Sequence, residues 1–142
     1  MPKRRASSRT RRSPRVTDIV LDASAVLALI HREAGAERVK AVLPAAVLGS
    51  VNLAEVVTKL VERGVPPDDI ADLLQSFDLD LHPFDDILAF ETGVLRASTR
   101  GRGLSLGDRA CLALARRLGA SVLTADRAWQ GLDLGVPVEL LR

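Results

Sequence analysis

Four acidic residues stand where short apolar segments end or where helical segments begin. Asp22 follows the apolar run Ile19–Leu21, and Asp126 comes shortly after a second such run. Glu55 falls in the opening turns of one amphipathic segment, and Asp108 opens another. Carboxylates held close together repel one another unless they share protons or face a cation. Oxygen ligands of this kind favour a hard divalent ion, so the four acids predict a site for Mg²⁺ or Mn²⁺.

The chemistry expected of such an ion is the hydrolysis of phosphodiester bonds. A hard cation polarises phosphate and lowers the pKa of bound water for attack in line with the leaving oxygen. Two ions about 3.5–4 Å apart would serve both the attacking and the leaving oxygen, whereas with one ion a carboxylate would orient the water. The sequence is compatible with either arrangement.

Each acid also has a purely structural interpretation. Asp108 is well placed to cap its helix, Asp126 to form a turn, and Glu55 to face solvent. Asp22 is harder to explain in this way, because a charge at the end of a wholly apolar strand is costly without a partner. The argument for a site therefore rests on the set of four.

The elements that must position these acids alternate between short apolar runs and longer amphipathic segments. Strands are predicted at 19–21, 45–48, 79–82, 121–124 and 136–140, and helices at 24–31, 34–43, 51–61, 68–76, 86–99 and 107–118. Ser50 is expected to cap the third helix. Such alternation requires right-handed crossovers and a mainly parallel sheet covered by helices, which is the α/β class. The carboxyl ends of parallel strands share one edge, where the acids would meet.

Composition limits the alternatives. The chain of 142 residues fits one domain, and no apolar run approaches the roughly 20 residues that span a bilayer. A single cysteine, Cys111, excludes an internal disulfide and a cysteine-based zinc site, and it suits a cytoplasmic protein. Cys111 is expected in the core, and His31 and His82 at the surface or at helix ends.

Positive charge is concentrated at the start of the chain. Residues 1–15 carry seven basic side chains and no acid, which leaves 13 basic and 18 acidic residues, a net charge of −5, in 16–142. Without an apolar period, residues 1–15 are predicted to be a disordered basic tail. The tail is either a solvated extension or upstream addition, or an arm that binds nucleic acid.

Arginines become frequent again near Asp108. Residues 66–92 contain eight acids and no Lys or Arg, whereas 93–119 contain six arginines and one acid. These arginines could bind an RNA backbone, since phosphate contacts supply most of the affinity that is independent of sequence. The candidates are Arg96, Arg100, Arg102, Arg109, Arg116 and Arg117, joined by Arg127 beside Asp126. Solvated helix faces explain Arg116 and Arg117 equally well.

Four short motifs together resemble a PIN domain of the VapC toxin type. They are Asp22-Ala23-Ser24-Ala25, Ser50-Val51-Asn52-Leu53-Ala54-Glu55-Val56, Leu104-Ser105-Leu106-Gly107-Asp108 and Leu123-Thr124-Ala125-Asp126. The resemblance covers residues 16–142 and leaves the basic tail outside the family's pattern. It implies a three-layer α/β/α sandwich with a central, mainly parallel sheet.

The resemblance also implies roles for individual residues. Asp22, Glu55, Asp108 and Asp126 would form an acidic quartet, with Asp22 and Asp108 as the main metal ligands and the other two completing the site directly or through water. Ser24, Asn52 and Thr124 match the polar positions beside that quartet. Charge placement, independently of the resemblance, makes Arg100, Arg102, Arg109 and Arg127 the RNA-binding candidates.

The activity implied is that of a Mg²⁺-dependent endoribonuclease, the toxin of a toxin–antitoxin pair. Such toxins act on tRNA or ribosomal RNA, are homodimeric, and are held inactive by a small VapB-like antitoxin. The alternative is a catalytically silent PIN-like module that binds nucleic acid or a protein without cleavage. Response-regulator receivers and haloacid-dehalogenase phosphatases fit less well, because the chain lacks the required late-strand lysine and has Ser24 where the second aspartate would stand.

Overall fold

The computed structural model describes residues 19–142. The predicted basic tail, residues 1–15, lies outside the described residues. Within the described part, no helix is both long and apolar enough to cross a membrane.

A five-stranded parallel sheet forms the centre of the domain. Its strands are β1 (Ile19–Leu21), β2 (Ala46–Gly49), β3 (Asp80–His82), β4 (Ser121–Thr124) and β5 (Val138–Leu140). They lie side by side in the order β3-β2-β1-β4-β5, and each neighbouring pair is parallel. The central strand β1 pairs with two neighbours, so that Val20 lies opposite Val47 on one side and Val122 on the other.

Seven α-helices connect the strands in the described residues. They are α1 (Ala23–Ile30), α2 (Ala36–Val42), α3 (Ser50–Glu62), α4 (Pro67–Ser76), α5 (Asp86–Val94), α6 (Arg96–Thr99) and α7 (Leu106–Leu118). Short 3₁₀ turns occupy Leu43–Ala45, Arg100–Arg102 and Arg127–Trp129.

Two hydrophobic clusters lie on opposite faces of the sheet, because successive strand side chains point to opposite sides. Ile19 and Leu21 pack in a cluster with residues of α1 and α3. Val20 packs in the second cluster with α5 and α7, which also holds Cys111 and Trp129. The predicted α/β sandwich is thus confirmed, and Cys111 is a buried core residue as expected.

Several predicted boundaries needed correction. Ser50 is not the cap of α3: Gly49 is the N-cap, and the Ser50 hydroxyl instead accepts a hydrogen bond from the Phe84 amide at 2.9 Å. The helix predicted to run to residue 99 divides at Leu95 into α5 and α6. The last strand begins at Val138, two residues later than predicted.

Candidate active site

Asp22 stands at the carboxyl end of the central strand and is the N-cap of α1. Its Oδ1 accepts hydrogen bonds from the Ala25 amide at 3.0 Å and the Ser24 hydroxyl at 2.7 Å. Its Oδ2 accepts one from the Thr124 hydroxyl at 2.7 Å. The residue is only 4% exposed. Burial and, to a smaller extent, the charge of Asp108 raise its pKa from 3.8 to about 6 against the lowering effect of these hydrogen bonds.

Ser24 and Thr124 join the ends of the two neighbouring strands around that carboxylate. The Ser24 hydroxyl also accepts from the Ala125 amide at 2.9 Å, and the Thr124 hydroxyl accepts from the Asp126 amide at 3.0 Å. Thr124 is fully buried. The Asp22 carboxylate is therefore held in one orientation by partners on α1 and on β4.

Glu55 lies in the second turn of α3, half-buried against the start of α7. The Asn52 side-chain amide donates to Oε1 of Glu55 at 2.7 Å and to the Gly107 carbonyl oxygen at 3.2 Å. Burial raises the pKa of Glu55, and the charge of Asp108 adds to this, whereas the Asn52 hydrogen bond and Lys59 lower it. Asn52 is itself buried and links the two helices at this point.

Asp108 closes the first turn of α7 in a capping box. Its backbone amide donates to the Ser105 hydroxyl at 3.1 Å, and its Oδ2 accepts from the Ser105 amide at 2.9 Å. Asp108 therefore caps its helix, as one of its two interpretations predicted, and this does not exclude a role in the acidic site. The negative charge of Asp108 raises the pKa of both Asp22 and Glu55, so each of these two carboxyl groups lies within electrostatic range of Asp108.

Asp126 lies at the margin of this group. Its side chain caps the 3₁₀ turn Arg127–Trp129 by accepting from the Ala128 amide at 2.9 Å, and the residue is exposed. It is not among the charges that raise the pKa of Asp22. Asp22 and Glu55 thus each lie within the electrostatic influence of Asp108, and the Asp126 backbone amide is linked to Asp22 through the Thr124 hydroxyl.

Gly107 is a neighbour of the site to which the sequence argument gave no role, although it stands in one of the four motifs. A β-carbon built at this glycine would lie 2.5 Å from Cδ and Oε2 of Glu55. The only sequence feature that pointed to it was a glycine directly before Asp108, in the first turn of a helix. Cys111 lies one turn further along α7; burial raises the pKa of its thiol strongly, and the charges of Asp22, Asp108 and Glu55 add to the effect.

The donor set fits a hard cation in its chemistry. Among residues 19–142, none of the ion pairs is made by Asp22, Glu55 or Asp108, although the charge of Lys59 acts on Glu55. In the same residues, no three His, Cys, Asp or Glu side chains are grouped closely enough to form a ready metal site. Asp22 is the buried member of this set, and it has hydrogen-bond donors but no ion-pair partner among residues 19–142, which suits a divalent cation.

The arginines that the sequence offered for RNA binding separate into two groups. Arg102 donates to the carbonyl oxygens of Ala128 and Gln130, and Arg109 donates to that of Thr92 at 3.0 Å. These two support the loop after Asp126 and the packing of α7 on α5. Arg100 and Arg127 are exposed.

The family model described as "PIN domain" matches residues 19–133. No curated protein sequence matches the chain significantly.

Several solved structures share the fold. DNA-bound VapBC from Salmonella typhimurium has a TM-score of 0.69 at 20% identity, covering 88% of this chain and 98% of that chain. VapBC2 from Rickettsia felis, bound to a DNA fragment from its promoter, has a TM-score of 0.65 at 17% identity over 86% and 97%. FitAcB from Neisseria gonorrhoeae has a TM-score of 0.61 at 20% identity over 87% and 97%.

Proposed function

The chain belongs to the PIN domain family, and from this premise we propose that it is a Mg²⁺-dependent endoribonuclease and the toxin of a VapBC-type toxin–antitoxin pair. The observation that most strongly supports this proposal concerns the Asp22 carboxylate. It is buried, has no cationic partner in the described residues, and is affected by the negative charge of Asp108. A carboxylate in that position gains most from a small divalent cation.

Asp22 and Asp108 are the residues that we expect to hold the ion, with Glu55 and Asp126 completing the site directly or through water; Mn²⁺ would fit the same oxygen ligands. Bound Mg²⁺ supplies Lewis-acid chemistry, which polarises phosphate and acidifies water. The chain's own contribution is to fix the oxygens. Ser24 and Thr124 hold Asp22 from two sides.

Proton transfer and water orientation fall to the less constrained carboxylates. Glu55 has a raised pKa, so it can accept a proton from water near neutral pH more readily than an ordinary surface glutamate. Asp126 is exposed at the margin of the site and can orient water from the solvent side.

RNA binding would rest on phosphate contacts. Arg100, Arg102 and Arg127 are exposed candidates, and Arg102 can contribute through N–H groups not used in its carbonyl hydrogen bonds, whereas Arg109 is partly buried. Trp129 is buried, so it offers no stacking surface for a base. Recognition of tRNA or ribosomal RNA would therefore depend on the backbone and on shape.

The proposed partners are a VapB-like antitoxin and a second copy of the chain. A homodimer is supported by α5, where Ile87, Phe90 and Val94 are exposed on one helical face and Phe90 is 74% exposed. Asp86 is exposed at the start of this helix and Arg96 is exposed just after its end. Two antiparallel copies would place each acidic start against the other basic end.

The decisive experiment is a cleavage assay with a panel of cellular RNAs, Mg²⁺ or Mn²⁺, and mapping of the cut ends. The wild type should cut RNA only with the ion, and Asp22→Asn and Asp108→Asn should each abolish cleavage while circular dichroism shows a retained fold. Ser76→Ala, on α4, is a matched control that should cut normally. RNA binding without cleavage by the wild type would instead identify the silent binding module and refute the nuclease proposal.

A further inference from the structure

We propose that Gly107 is a positioning residue, kept without a side chain so that the Glu55 carboxylate can lie against α7 at the distance the site requires. The inference rests on the proposed function, because it assumes that Glu55 serves the metal site. The observation behind it is that the three atoms nearest to a β-carbon at this position all belong to the Glu55 carboxylate.

The backbone does not need glycine at this position. Gly107 is not one of the positive-φ glycines, so an L-residue fits its conformation. It lies in the first turn of α7, where glycine stabilises a helix less than alanine does. The glycine therefore lowers helix stability without a local conformational reason.

Asn52 draws the carboxylate into the space that Gly107 leaves. Its amide donates at once to Oε1 of Glu55 and to the Gly107 carbonyl oxygen, at 2.7 Å and 3.2 Å. A methyl group at 107 would lie 2.5 Å from the Glu55 Cδ atom, too close for contact. Because the colliding atoms end a flexible side chain, Glu55 would move and the helix would not.

The first test is Gly107→Ala in the full chain. We expect an unfolding temperature equal to or above that of the wild type, and Mn²⁺ affinity, measured by calorimetry, lowered about tenfold, as for other lost supports of a ligand. Gly93→Ala is the matched control: it is also a helical glycine, nothing lies within 4 Å of a β-carbon there, and it should leave Mn²⁺ affinity unchanged.

A second substitution, which shortens Glu55, distinguishes displacement of this side chain from a general loss of metal binding. Glu55→Asp shortens the side chain by one methylene, so it should weaken Mn²⁺ binding in the wild type but restore part of the lost affinity in the Gly107→Ala background. The inference would be overturned if Gly107→Ala left Mn²⁺ affinity unchanged. It would also be overturned if the two substitutions together lowered that affinity by the product of their separate effects.

A metal-free measurement keeps this inference distinct from the proposed function. The side-chain amide of Asn52 should show a hydrogen-bonded resonance in the ¹⁵N spectrum of the wild type, shifted in Gly107→Ala and unaffected in Gly93→Ala. If the wild type binds no Mn²⁺, the proposed function fails, whereas the Asn52 resonance still supports or refutes the displacement of Glu55. An Asn52 resonance that is the same in all three proteins would refute it.

Discussion

Replacing Asp22 by Asn should make the protein more stable at neutral pH while abolishing its activity. Asn is as good an N-cap as Asp, and its carbonyl oxygen can still accept from the Ala25 amide and the Ser24 hydroxyl. What the substitution removes is a buried negative charge. Without metal, that charge destabilises the folded state, because burial and Asp108 raise its pKa.

The magnitude follows from linkage. The folded state binds the Asp22 proton more tightly than the unfolded state, since the pKa rises from 3.8 to about 6. Below pH 3.8 the carboxyl is protonated in both states and carries no penalty. Stability is lost as the pH rises through the window up to pH 6, and the full penalty, about 3 kcal/mol, applies above it. Asp22→Asn lacks this dependence.

The assay is urea denaturation of both proteins in EDTA across pH 3.5 to pH 7.5. The stability difference between variant and wild type should grow in favour of the variant by about 3 kcal/mol over that range, and by about half as much between pH 5 and pH 7.5. Comparing the two proteins at each pH cancels the titration of every other group. Ser76→Ala, an exposed change on α4 that removes no titrating group, should track the wild type. Parallel profiles for wild type and Asp22→Asn would refute the reasoning.

Three further outcomes test the proposed metal site, dimer and tail. Mg²⁺ at about one hundred times its dissociation constant should raise the unfolding free energy of the wild type by about 2.7 kcal/mol at pH 7.5 and by less at pH 5, where protonation of Asp22 competes; equal effects at both pH values would contradict the assignment. Phe90→Asp should convert a dimer into a monomer in sedimentation experiments, whereas the exposed surface change Lys59→Gln should not. Deleting residues 2–15 should weaken RNA binding and flatten its salt dependence if the tail is an RNA-binding arm; an unchanged slope would make it a solvated extension.

Much of the fold could be predicted from sequence because its central strands are short, apolar and sharply bounded. Ile19–Leu21 and Ser121–Thr124 were predicted at their observed limits, since both are bounded by residues that leave the sheet. Ser50 misled the prediction because a serine at a helix start has two uses. Its hydroxyl bonds the distant Phe84 amide, and no local pattern reveals that partner.

The candidate site divides in the same way. The sequence predicted that Asp22 and Asp126 follow parallel strands, and that they lie at the same edge of the sheet because the carboxyl ends of such strands meet there. The sequence did not predict that Asp126 is exposed while Asp22 is buried. This difference depends on how α1 and β4 cover one carboxylate and leave the other in solvent. The role of Gly107 was hidden for a similar reason: its neighbour in space is Glu55, which lies on another helix.

Asp22 and Gly107 both lower the stability of the folded protein, and this shared effect is relevant to function. Each lowers the stability of the metal-free protein, Asp22 through a buried charge and Gly107 through a weakened helix start. Within the described residues neither loss is fully recovered, since the hydrogen bonds to Asp22 offset only part of the effect of its burial and Gly107 only makes room for the Glu55 carboxylate. Features that lower stability without local compensation concentrate where a protein binds or reacts. A cation among Asp22, Glu55 and Asp108 would offset the first loss and use the space left by the second, so one ligand accounts for both.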